Sequence, residues 1–213
     1  MRHVREIAKY SSKERMILVD AHVHIYNCFD LRSFFNAALT NFSEEAIRTG
    51  NSADFESILI LTDWSNENWF QYLHGLSERG NNVVNKSIDD WSFIPTNEDI
   101  SIYARRCDGK GLFIIAGRKI ISSENLEVLA VGTNRSFDDG IPLKGVLSMI
   151  KDNDAIPIIP WAVGKWMGKR GKIIEALLAE EGDPGYFVCD NGNRPKNNIS
   201  PSMVKIRNGR TIF

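Results

Sequence analysis

His22 and His24 stand two residues apart in the stretch "ILVDAHVHIYN", with Asp20 two residues before the first of them. An apolar run from Met16 to Val19 leads into the three. On extended backbone, side chains two positions apart project from the same face, so this spacing aims two imidazoles and a carboxylate at one point. Imidazole and carboxylate suit zinc, manganese or iron alike. Asp20 serves there as a third ligand or as the group that orients a histidine from behind. The pattern predicts a divalent metal ion at His22, His24 and Asp20. For a His-x-His met anywhere in a chain, a hydrogen-bonded pair in a half-buried loop is the competing reading; at the end of an apolar strand, metal is the better one.

Other residues able to do chemistry fall at comparable places. Asp63 closes the apolar run "ILILTD", Lys119 follows Arg118 inside "IIAGRKII", Trp161 closes "IPIIPW" and Asp190 closes "FVCD". Polar groups at the C-terminal ends of barrel strands converge on one face, which makes Asp63, Lys119 and Asp190 candidate catalytic residues.

Two further stretches could hold a substrate. "IPWAVGKWMGKRGKII" joins a strand end to a helix start, where free backbone N–H groups and the helix dipole favour an anion. Lys165, Trp166, Lys169 and Arg170 are its candidate substrate contacts, with a solvated basic turn as the alternative. It is not a P-loop, because Arg170 stands where a Ser or Thr is needed. In "CDNGNRP" the Asn-Gly-Asn sequence predicts a tight turn. Asn191 and Arg194 are candidate substrate contacts if that turn lies at the same mouth, and a plain loop otherwise.

To bring these residues together the chain needs strands that end at one mouth. Apolar runs at 16–19 and 58–61 are each followed by helical spacing, over 30–49 and 66–80. Repeated strand-then-helix units predict a parallel sheet with crossover helices. From Trp91 to Gly132 the pattern changes to short β-rich runs, "WSFIPT", "SIYARRC", "GLFIIAGRKII" and "LEVLAV", which predicts a β-hairpin insertion. The regular alternation then returns, with helices over 142–154 and 168–182, strands over 155–162 and 185–190, and "GRTIF" opening one more strand. The expectation is a single α/β domain over 1–213, with a charged N-terminal extension at 1–15. Its architecture is a distorted (β/α) TIM-like barrel, incomplete at the C-terminus, or alternatively an open doubly wound sheet. A chain that stops at Phe213 with an apolar run just begun reads as a truncated product.

At "LVDAHVHIYN" the chain resembles metal-dependent hydrolases of the amidohydrolase and PHP (polymerase and histidinol phosphatase) type. These are barrels that hold one to three metal ions. The resemblance implies that Asp63, in "ILILTDW", is a metal ligand, with Trp64 standing where that family carries a histidine. "IIAGRKII" is similar to the family's Gly-x-Glu element with Lys119 in place of the glutamate, and Trp161 in "IPWAV" stands at another histidine position. The family's last ligand-bearing strand would fall beyond "GRTIF". The retained set of His22, His24 and Asp63 implies a single ion. Glu124 and Glu127 could replace a lost carboxylate, though surface or capping roles read better for both. Lys119 could carry a bridging carbamate, though an ordinary ion pair reads better.

The 213 residues include 25% charged side chains and carry a formal net charge of -1, so no global field favours nucleic acid or anionic membranes. Three widely spaced cysteines with no C-x-x-C pair read as reduced thiols of a cytoplasmic protein. The N-terminus has no signal-like apolar segment, and no run approaches the roughly 18 apolar residues of a membrane span. The functional expectation is a metal-dependent hydrolase of a phosphoester or another small anionic substrate. The alternative is a non-catalytic barrel whose Trp64, Trp161 and Trp166 stack on a sugar or nucleobase.

Overall fold

The apolar run before the histidines forms a strand, β1 (Met16–Val23), paired in parallel with β2 (Phe55–Asp63). The computed structural model describes residues 16–50, 55–78, 87–162, 164–180 and 185–190. The expected N-terminal extension, the "GRTIF" strand, Asn191 and Arg194 lie outside these residues.

Between β1 and β2 runs α1 (Leu31–Arg48), started by Asp30, whose carboxylate accepts the Ser33 N–H at 2.8 Å. Its buried residues Phe35, Leu39, Phe42 and Ala46 recur at helical spacing and press one stripe onto the sheet. After β2 comes α2 (Trp69–Glu78), and then the expected hairpin of β3 (Trp91–Pro95) and β4 (Ser101–Arg106). The remaining elements are β5 (Gly111–Ile121), β6 (Glu127–Val131), α3 (Leu143–Lys151), β7 (Ile156–Trp161), α4 (Lys169–Leu178) and β8 (Phe187–Asp190).

One mixed sheet results, in the order β1-β2-β5-β6-β7-β8, with β4 also on β5 and β3 outside it. β1, β2 and β5 are parallel, as are β7 and β8, but β6 runs against both of its neighbours. The reversal has a local cause. Only the turn of residues 122–126 separates β5 from β6, too short for a crossover, so the two must form a hairpin. Asn125 takes positive φ (58°) in that turn, a conformation asparagine tolerates.

β5 is the strand on which the halves of the sheet join. Residues 113–115 pair with β2 and β4 at once, and 117–118 pair with β2 and β6, so β4 and β6 share one edge of β5 in succession. The changeover falls at Ala116, whose N–H donates to Ile100 O and whose carbonyl accepts from Gly132 N–H. Next to it Gly117 is squeezed between strands: a Cβ there would lie 2.9 Å from Leu61 O and 3.2 Å from Ala130 O.

Side-chain alternation divides the sheet into two apolar faces. Leu59, Leu61, Leu112, Ile114 and Ala116 pack with α1 and α2. Ile60, Leu129, Val131, Ile158 and Cys189 form a separate cluster with Ile58 and Ile115 on the opposite face. The candidate site continues this second face.

Candidate metal centre

Asp20 is in register with Leu59, and Val23 with Leu61, so three steps along β1 match two along β2. The extra residue is a β-bulge. It exchanges the faces of everything beyond it. Without it His22 would align with Leu61 and face the helices; with it Val23 takes that place and joins the helix-side core. His22 and His24 turn to the other face, their ring centroids 4.9 Å apart. Asp20 stays on the near side of the bulge, exposed, and accepts the His22 N–H at 3.3 Å. The expectation that Asp20 shares a face with the histidines is thereby corrected.

Glu127 is the carboxylate that meets the histidines. His22, His24 and Glu127 bring one ligand atom each to within 4.8 Å of one another, a group that could hold a metal ion. In a flat sheet β1 and β6, three strand spacings apart, would be about 14 Å from each other. His22 Nε2 nonetheless lies 2.9 Å from Glu127 Oε1, so the sheet curls around this face. That oxygen is buried and receives no hydrogen bond of normal geometry. The two atoms are in contact as an ion pair, and at this separation they could also ligate one ion.

Thr62, on the same face of β2, supports His24. Its hydroxyl donates to Val23 O at 3.2 Å and stands 3.5 Å from His24 Nδ1. With its hydrogen directed to Val23, the Thr62 oxygen faces His24 as an acceptor. This favours a proton on Nδ1 and leaves Nε2 with its lone pair. Burial, followed by the charges of His22 and Lys119, lowers the pKa of His24 to about 4, which keeps the ring neutral and able to bind a cation.

Two lysines complete the centre. Lys119 Nζ lies 3.5 Å from Glu127 Oε1 and 3.7 Å from the centre of the Trp64 ring. The ion pair expected of Lys119 is therefore present, with an aromatic face added. Lys165 Nζ donates to Glu127 Oε2 from the loop before α4. Burial alone would raise the pKa of Glu127, but its contacts with His22 and Lys165 and the charge of Lys119 bring it down to about 2. Two ammonium groups against one carboxylate leave the site positively charged. Tyr26, exposed on the loop after β1, borders it 6.2 Å from the His24 ring.

The other expected site residues go elsewhere. Asp63 is one position beyond Thr62, and that single step puts it on the helix face. Its Oδ2 accepts the Phe70 N–H at 3.0 Å in the first turn of α2, and its register partner is Arg118. It is a helix cap and stands outside the metal group. Trp161 and Trp166 are buried in the core around α3 and α4, so neither offers a face for stacking. Arg170 donates to Gly164 O at 2.9 Å and closes the basic turn on itself. Lys169 is exposed at the first position of α4. Asp190 closes β8 in register with Trp161.

Of the two glutamates expected to have surface or capping roles, Glu124 has one and Glu127 does not. Both Glu124 carboxylate oxygens accept the Leu143 N–H, at 3.1 and 2.9 Å, which starts α3. Glu127 opens an antiparallel strand instead of closing a parallel one, so the rule that strand ends carry ligands passes over it. Alternation could have found it, since Glu127, Leu129 and Val131 share one face with Lys119 across the hairpin.

Comparison with protein-family models, curated proteins and solved structures returns no match to this chain. Among the described residues no helix is long and apolar enough to cross a membrane.

Proposed function

We propose that this protein is a metal-dependent hydrolase acting on a phosphoester or another small anionic substrate. The observation that supports this most is the buried Glu127 Oε1 set 2.9 Å from His22 Nε2, with His24 beside them. One carboxylate and two imidazoles suit zinc, manganese or iron(II). Such an ion supplies Lewis-acid polarisation and a water made acidic enough to attack near neutrality.

The chain's own residues do the rest. Lys119 and Lys165, in excess over the single carboxylate, draw in and orient the anionic group of the substrate. Thr62 holds the His24 ring, and Glu127 sets the positions of both lysines. The same reading takes the curled sheet as part of a distorted barrel of the PHP type. In its support, β1, β2, β5, β7 and β8 end at the mouth where these side chains gather. A cytoplasmic setting suits the exposed free thiols of Cys28 and Cys107.

The test pairs elemental analysis of the purified protein with turnover of an aryl phosphate before and after chelation. Bound metal in near-stoichiometric amount and chelator-sensitive turnover are expected. A protein that carries no ion and binds none on titration would overturn the reading.

A further inference from the structure

Lys119 and Trp64 carry an inference that rests on the metal reading above and goes beyond it. The Lys119 ammonium shares Glu127 Oε1 with His22, and therefore with the proposed ion. A single carboxylate contacted by two cations is the arrangement of a two-metal site, in which one ligand serves two ions about 3.5–4 Å apart. Here the second cation is covalently attached to β5.

Three features separate Lys119 from an ordinary ion-pair partner. Its side chain is 12% exposed and rises from a strand, whereas that of Lys165, the other lysine on this carboxylate, is 32% exposed and rises from a loop. Its Nζ lies over the Trp64 ring at 3.7 Å, close enough for a cation–π contact. Trp64 is in turn placed against the site, its ring 6.3 Å from that of His24. The ammonium is thus held from both sides, by a carboxylate and by an aromatic face.

We propose that Lys119 acts as a tethered second cation of a one-metal centre, with Trp64 as the residue that positions it. The centre takes a single divalent ion at His22, His24 and Glu127. Lys119 fills the neighbouring cation position with a fixed positive charge that faces the anionic group of the substrate.

Equilibrium dialysis of the full chain with Mn2+, read together with electron paramagnetic resonance, tests this without relying on turnover. The unaltered protein should bind one Mn2+ with the spectrum of an isolated ion. Lys119→Met, a neutral replacement of similar shape, should still bind one, but at least about tenfold more tightly because a like charge has been removed. Lys119→Glu should admit a second ion and show the spectrum of a spin-coupled pair. If it fails to fold, the Met variant carries the test alone.

A second Mn2+ in the unaltered protein would overturn the proposal, as would unchanged affinity in Lys119→Met. So would a folded Lys119→Glu that binds only one ion. No Mn2+ at all in the unaltered protein would remove the metal reading together with this one. A single bound ion that is indifferent to Lys119 removes this one alone.

Discussion

Asp63 and Arg118 occupy paired positions on β2 and β5, on the face of the sheet opposite the histidines. Arg118 is 2% exposed and donates to Glu67 O, Asn134 O and Asn134 Oδ1, while Asp63 receives the Phe70 N–H. Burial raises the pKa of Asp63, against the pull of Phe70 N–H and Arg118. Asp63→Ala should therefore cost about 1–3 kcal/mol of stability, through a lost cap and an unbalanced guanidinium. It should leave metal content unchanged. Loss of the ion in a folded variant would return Asp63 to the ligand set.

Alanine at His22, His24 or Glu127 should weaken metal binding by more than about 100-fold, whereas alanine at Asp20 should have little effect. Thr62→Val should fall between them, at about tenfold, because it releases the His24 ring without removing a ligand. Titration with Zn2+ against a competing chelator measures all five. Equal losses at Asp20 and His22 would contradict the geometry of the bulge.

Acid should destabilise the metal-free protein in two windows. His24 has a folded pKa of about 4 against an ordinary 6.5, so the unfolded chain binds its proton first and stability falls as the pH drops between those values. Its share is on the order of 2 kcal/mol after allowance for partial exposure. Glu127, at about 2 against 4.5, contributes stability that is present above pH 4.5 and lost as the pH falls towards 2. Melting curves in chelator should show His24→Gln flattening the upper window and Glu127→Gln the lower. An identical profile in all three proteins would refute both assignments.

Trp64 and Lys119 should be energetically coupled. A double-mutant cycle with Trp64→Leu and Lys119→Met isolates the contact, and about 0.5–2 kcal/mol is expected for a partly desolvated cation–π pair. Strict additivity would mean that the two are merely adjacent.

Gly117→Ala should cost about 1–3 kcal/mol, since the added methyl meets carbonyl oxygens of both neighbouring strands and neither can retreat without breaking a ladder. Because it also pushes β2 from β6, and with them the two sides of the centre, metal affinity should fall with stability. An unaffected melting temperature would show that the strands separate freely.

Much of the fold was legible from periodicity. The strand-helix alternation, the hairpin in the middle and the boundaries of α1 and α3 follow from apolar spacing and turn residues, and so does the placing of two histidines in a group that could hold a metal ion. What was not legible turns on parity. Asp63 and Thr62 differ by one position, and side-chain period decides which of them reaches the site; a run as uniformly apolar as "ILIL" conceals that parity. Glu127 escaped for a different reason. Its nearness to His22 depends on the curl of four strands, a sum of long-range pairings that no local window contains.

The bulge between Asp20 and Val23 also has a genetic meaning. Between Asp20 and Val23 β1 holds one residue more than its partner needs, so deletion of a single codon there, such as that for Ala21, would restore regular pairing. It would leave Val23 opposite Leu61 and set His22 opposite Ile60, so both imidazoles would keep the face they have now. A lineage could shed the bulge through that event and keep the centre, whereas loss of the codon for Val23 would make the histidines adjacent and set them on opposite faces, with both still present in the gene.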